Sequence, residues 1–98
     1  LITGLQSTTP TDTGSQRPDG NGIDLDVEAG GAVIGGLMTN GSAVATPVNI
    51  DYDFGPLDMN GEDAYGASRE FASAQTALNF DLGDASGSKR VESFFAIR

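Results

Sequence analysis

Alternation of apolar and polar residues marks four segments of this chain as β-strands, and an apolar run that contains two glycines marks a fifth. In residues 23–28, the apolar side chains of Ile23, Leu25 and Val27 alternate with acidic ones, which is typical of a strand with one buried face. Residues 76–82 alternate in the same way, with Leu78, Phe80 and Leu82 predicted to point inward. The other predicted strands are residues 32–39, 44–54 and 91–98.

The last predicted strand carries apolar residues on both faces. Its alternation favours Val91, Ser93, Phe95 and Ile97 on one face. Phe94 then lies on the opposite face, where we expect it to contact a partner.

Residues 62–75 carry the best helical pattern in the chain. Asn60 is suited to cap this helix, and acidic residues occupy its first turn. Helical spacing places five residues on one face, namely Ala64, Ser68, Phe71, Ala72 and Gln75. Gly66 weakens the pattern, so a Ser/Ala-rich loop with one helical turn is the alternative.

Turn signals separate the predicted strands. Asn40-Gly41 is typical of a type I′ hairpin turn after the strand at 32–39. Gly55-Pro56 is expected to end the strand at 44–54, and Pro47 places the start of that strand at a sheet edge or after a bulge. Asn-Gly pairs recur with the rhythm of a β-meander.

Residues 1–22 are predicted to form an extended N-terminal arm ahead of a compact β domain at 23–98. The arm is polar and rich in Thr, Gly and Pro, with an apolar tip of Leu1, Ile2 and Leu5. Such a segment does not order by itself. We expect either a neighbouring subunit or its own domain to hold it.

Together these patterns predict an all-β, mainly antiparallel fold. The expected architecture is a small sandwich or barrel of about five strands with the extended arm and at most one short helix.

Composition narrows the possible functions. The chain of 98 residues has no His, Cys or Trp, and Lys89 is its one lysine. Zinc sites and Ser-His-Asp catalysis lack their usual residues, so we expect a protein that is not an enzyme. The net charge of −9 opposes binding to the phosphates of nucleic acids. No apolar run is long enough for a membrane span, so membrane insertion is not expected.

Acidic residues are the one candidate for metal chemistry. Carboxylates on the outward faces of 23–27, 50–54 and 79–82 would repel one another if the strands were neighbours, and Ca²⁺ would relieve this. The alternative is a solvated acidic face. Oxygen-bearing side chains also cluster in 58–63, where the candidate ligands are Asp58, Asn60, Glu62 and Asp63. This cluster matches no standard calcium-loop spacing, so it is also interpreted as a turn. No cofactor is expected apart from this possible Ca²⁺.

The organisation of the chain suggests a structural role. A Thr/Pro/Gly-rich arm leading into a compact β domain without His resembles small virion decoration or cement proteins and extracellular filament subunits. The resemblance implies a non-catalytic subunit of a repeating assembly, extracellular or on a virion. Its partners would be copies of itself or another structural protein, contacted through Leu1, Ile2, Leu5 and Phe94. The alternative is a calcium-assisted carbohydrate- or protein-binding module of a larger secreted adhesin.

Overall fold

The computed structural model describes residues 9–16, 22–39, 47–58, 60–82 and 90–98. This part of the chain contains seven strands and no helix. In chain order they are β1 (Asp12–Gln16), β2 (Ile23–Val27), β3 (Ala32–Thr39), β4 (Asp51–Asp58), β5 (Asp63–Glu70), β6 (Gln75–Phe80) and β7 (Arg90–Ile97).

The strands form two antiparallel sheets. The larger has five strands in the order β1-β7-β3-β5-β4, and the smaller pairs β2 with β6. The prediction of an all-β, antiparallel fold of small sandwich type is therefore confirmed. The strand order, which the sequence leaves open, is not a simple meander, because β4 and β5 are the one pair of described sheet neighbours that follow each other along the chain.

The core lies between the two sheets. The smaller sheet contributes Leu25, Val27 and Phe80, each at most 2% exposed. These pack in one apolar cluster with the inward residues of the larger sheet, namely Val33, Leu37, Tyr65, Ala67, Phe94 and Ala96. The inward positions predicted for β2 and for Phe80 and Leu82 are thus confirmed.

The two sheets are joined along both of their sides. On one side the backbone N–H of Asp26 in β2 donates to the carboxylate of Asp12 in β1, at 2.8 Å. On the other side Val48, just before β4, forms an antiparallel bridge with Asp81, just after β6. These contacts partly cover sheet edges that would otherwise present unpaired backbone groups.

The predicted helix at residues 62–75 is wrong, because this segment contains strand β5. Tyr65 and Ala67 point into the core, 4% and 2% exposed, and Gly66 between them lies beneath the ring of Phe54. Because β5 lies between β3 and β4, its backbone is paired on both sides. This pairing outweighs a weak local helical preference.

The predicted orientation of β7 is also wrong. Glu92, Phe94 and Ala96 are buried, at 0%, 2% and 0% exposure, whereas Val91 is 41% exposed. The ring of Phe94 fills the space that Gly35 leaves open on β3. Both faces of this strand carry apolar residues, so packing against β3 decides which one faces the core.

Strand β4 runs through the Gly55–Pro56 peptide, which is cis, and ends at Asp58 rather than at Phe54. It is an edge strand, as Pro47 indicated. Residues 40–46, which include the Asn40-Gly41 turn signal, lie outside the described residues. Since β5 separates β3 from β4, these two strands do not form the predicted hairpin.

Part of the predicted arm belongs to the larger sheet. Residues 12–16 form β1, which pairs with β7. The backbone N–H of Thr11 extends this pairing by donating to the carbonyl of Ala96 at 2.7 Å. Residues 1–8 and 17–21 of the predicted arm lie outside the described residues.

Candidate interaction face

One face of the larger sheet is turned away from the core. Since side chains alternate between the faces of a strand, the burial of Val33, Leu37 and Phe94 places their chain neighbours on the opposite side. We call this side the outer face. Its apolar members that are exposed or half-buried are Ile34, Met38, Phe54, Leu57, Ala64, Val91 and Phe95. Ala32 and Ile97 lie on the same side but are buried.

The strand register arranges the outer face in rows that cross the strands. Met38 of β3 is opposite both Val91 of β7 and Ala64 of β5, and Ala64 is opposite Leu57 of β4. These four residues form a continuous apolar row across four strands. Val91 and Leu57, at its two ends, are 41% and 51% exposed.

A groove runs beside the apolar row. Gly36 is opposite Gly66 on one side and Ser93 on the other, so this next row has almost no side chains at its centre. We call the row of Ser93, Gly36 and Gly66 the glycine groove. Phe54 closes its β4 end, with its ring over Gly66, yet this side chain remains 52% exposed.

The third row is mixed. Ile34 is opposite Phe95 and Ser68, so an apolar pair borders the groove on the side away from Met38. Ser68 donates a hydrogen bond from its hydroxyl to the carboxylate of Asp53, at 2.6 Å. The acidic residues Asp51 and Asp53 therefore lie at one corner of the outer face, beside β4.

A shallow groove lies at the β1 side of this face. It has a volume of about 490 Å³ and is lined by Pro10, Thr13, Gly14, Ser15, Ser93, Phe94 and Phe95. Apolar atoms make up most of its lining, and it continues the glycine groove toward the sheet edge.

The predicted metal ligands lie at the hairpin that joins β4 to β5. Asp58 and Asp63 are cross-strand partners, and Asn60 and Glu62 lie in the turn between them. The Asp58 carboxylate accepts the backbone N–H of Gly61 at 3.0 Å, and Asn60 and Gly61 have φ near +61° and +93°. These are features of a tight turn. Within the described ranges, no three acidic side chains are grouped closely enough to hold a metal ion.

The other acidic strand positions face neutral partners. Asp24 accepts the side-chain amide of Asn79 at 2.9 Å, and Asp26 accepts the backbone N–H of Ala77 at 2.8 Å. The predicted repulsion between carboxylates on neighbouring strands does not arise between β2 and β6, because Asn79 rather than an acid stands opposite Asp24.

The residues predicted to contact other subunits are only partly within the described structure. Leu1, Ile2 and Leu5 lie outside the described residues. Phe94 is 2% exposed, with its ring centroid 5.9 Å from that of Phe80. It is a core residue, so the expectation that it meets a partner at the surface is wrong.

Sequence reasoning missed a group of buried polar side chains at one end of the core. Glu92, 0% exposed, accepts the backbone N–H of Leu82 at 3.0 Å, and the carbonyl of Leu82 accepts the hydroxyl of Tyr52. The hydroxyls of Thr39 and Tyr65 are buried, and the part of the chain that the structure describes gives them no hydrogen-bond partner. Burial, with Asp63 adding to it, raises the pKa of Tyr65 above its ordinary value. Only tertiary packing brings these groups together.

Comparison with protein-family models, curated proteins and solved structures gave no match to this chain. Among the described residues there is no helix of the length and apolarity that a membrane crossing requires.

Proposed function

We propose that this chain is a non-catalytic structural subunit of a repeating assembly, such as a virion decoration layer or a secreted surface filament. The observation that supports this proposal is the outer face. It exposes Phe54, Leu57 and Val91 together on one side of a sheet, 41–52% exposed. Contiguous exposed apolar side chains are typical of surfaces that bind other proteins.

The distribution of charge on the outer face supports the same conclusion. The chain has 14 acidic and 5 basic residues. Despite this excess, the outer positions of β3 and of β7 from Val91 to Ile97 are uncharged, and β5 places Glu70 only at its end. Protein interfaces are depleted of charge at their centres.

The N-terminal arm supplies a second contact in this proposal, through Leu1, Ile2 and Leu5. Deleting residues 1–8 tests it, because this deletion keeps β1 and the hydrogen bond from Thr11 to Ala96. A deletion of residues 1–20 would also remove a strand of the sheet. We expect the chain lacking residues 1–8 to fold and to form smaller assemblies than the full chain.

The experiment is light scattering after size exclusion, at near-physiological and at high salt. An oligomer or polymer that persists or grows at high salt is expected, because salt screens the repulsion between acidic copies and does not weaken apolar contacts. A monomer of 10.0 kDa at every salt and protein concentration would contradict the proposal. Circular dichroism of the shortened chain controls for loss of fold.

A second candidate function is a calcium-assisted carbohydrate- or protein-binding module of a secreted adhesin. The facing of Asp58 and Asp63 across the β4–β5 pair favours it. This function predicts that millimolar Ca²⁺ raises the Tm of the chain, and that Mg²⁺ raises it less. Asp58→Asn should remove the effect of Ca²⁺. An unchanged Tm, with no heat of Ca²⁺ binding in calorimetry, would eliminate this candidate.

A further inference from the structure

We propose that the outer face packs against the same face of a second copy of this chain, around a two-fold axis. This inference rests on the proposed function only in requiring that the chain associates with itself. It adds the identity of the partner at this face and the symmetry of the contact.

The shape of the outer face is complementary to itself. The apolar row of Val91, Met38, Ala64 and Leu57 forms a ridge beside the glycine groove, and Ile34 with Phe95 borders the groove on its far side. The ridge and the groove run parallel to each other. A two-fold axis parallel to both, and between them, places the ridge of one copy over the groove of the other. Because the ring of Phe54 already covers Gly66, the open part of the groove lies over Gly36 and Ser93. Met38 and Val91 of each copy then fill this open part of the groove of the other.

The distribution of charge favours the outer face of the second copy over the surface of its β2–β6 layer as the surface that is contacted. The described surface of the β2–β6 layer presents Asp24 and Asp26, both exposed. Packing the apolar row there would remove water from both carboxylates, and their hydrogen bonds to Asn79 and to the Ala77 backbone N–H replace only part of that hydration, which is costly. The rows around the glycine groove carry no charge between Val91 and Ala64 or between Ser93 and Phe54. Two outer faces can thus exclude water from apolar atoms without burying a carboxylate at the centre.

The face is large enough for a contact of modest size. Five strands spaced about 4.8 Å apart and strands of eight residues rising about 3.4 Å per residue give a flat area on the order of 500 Å². This is below the roughly 800 Å² per partner of a standard interface, so we expect a reversible dimer whose population depends on protein concentration. Sheets that pack face to face in sandwiches set the precedent for this arrangement.

The absence of native cysteine allows a direct test of the geometry. We place a single cysteine in the glycine groove as Ser93→Cys, or in the apolar row as Met38→Cys, and treat the chain with a short bismaleimide that joins two thiols. A disulfide would not report this contact, because sheets that pack face to face lie about 10 Å apart, beyond the Cα separation of up to about 7 Å that a disulfide spans. Equivalent residues near the two-fold axis lie within reach of the linker, so at least one of these variants should form a cross-linked dimer and nothing larger. Thr76→Cys, an exposed position on β6 in the other layer, is the control and should remain uncross-linked.

A charge variant tests the same face without cross-linking. Val91→Lys should weaken association at least about tenfold, because it buries an unpaired ammonium in the contact. Val48→Lys is the matched control, since Val48 has the same 41% exposure as Val91 but lies beside Asp81, away from the outer face. It should leave association unchanged.

The outcomes separate this inference from the proposed function. Association that survives Val91→Lys, with no dimer from Ser93→Cys or Met38→Cys, would overturn the two-fold contact and leave the structural role standing. Equal cross-linking of Thr76→Cys would also overturn it. A chain that stays monomeric at every concentration would overturn both.

Discussion

The packing of Phe94 against Gly35 yields the sharpest prediction for the fold. A Cβ at position 35 would lie within the ring of Phe94, far inside van der Waals contact. The backbone at Gly35 is outside the left-handed region, so alanine is excluded by space and not by its backbone. We therefore expect Gly35→Ala to destabilise the fold by about 1–3 kcal/mol, as overpacking does.

A double-mutant cycle isolates this contact. Phe94→Leu should cost about 1–2 kcal/mol, less than the roughly 3–5 kcal/mol of a full truncation. The shorter leucine leaves room for the methyl group at position 35. The double variant should therefore cost less than the sum of the single variants, by about 1 kcal/mol or more.

The assay is urea unfolding followed by circular dichroism. With a slope of about 1–2 kcal/mol/M, a loss of 2 kcal/mol moves the midpoint by about 1–2 M. Gly36→Ala is the matched control on the same strand, because among the described residues a Cβ there meets only the carbonyl oxygen of Tyr65, at 3.6 Å. Its effect should stay within about 0.5 kcal/mol. The steric explanation would be refuted if the stability losses of Gly35→Ala and Phe94→Leu were additive in the double variant. It would also be refuted if Gly36→Ala lost as much stability as Gly35→Ala.

Three further predictions concern the buried polar groups. Because the pKa of Tyr65 is raised in the folded chain, the unfolded chain loses this phenol proton at a lower pH. The free energy of unfolding should not depend on Tyr65 below about pH 10 and should fall as the pH rises above it. The free energy of unfolding of Tyr65→Phe should fall less over the same pH range. Glu92→Leu should cost about 1–3 kcal/mol more than Glu92→Gln, because only glutamine keeps an acceptor for the Leu82 N–H; equal losses in urea unfolding would contradict this. Thr39→Val removes a buried hydroxyl without a partner among the described residues and should raise the Tm, whereas a lower Tm would show that the hydroxyl is bonded.

The candidate interaction face could be predicted from the sequence only in part. Val91 and Phe54 are ordinary apolar residues in predicted strands, and the alternation of residues 91–98 assigns Val91 to the core. Leu57 lies beyond the predicted end of its strand, after Gly55-Pro56. Their exposure and their alignment in one row follow from the register of β7, β3, β5 and β4, which is set by long-range pairing. No local pattern in the chain specifies that order of strands.

The sequence by itself determined the all-β class and the strands whose two faces differ strongly in polarity. Asp24 and Asp26 alternate with Leu25 and Val27, so only one orientation of β2 keeps the carboxylates in water. For strands whose two faces differ little in polarity, only the tertiary structure decided which face is buried. Gly35 gives space to Phe94 and so orients β7, and Gly66 gives space to Phe54 within a strand that lies between two others. The physical reason is that the free-energy cost of burying an acidic side chain can be read from the segment that carries it. Whether an aromatic ring has room depends on a residue far away in the chain.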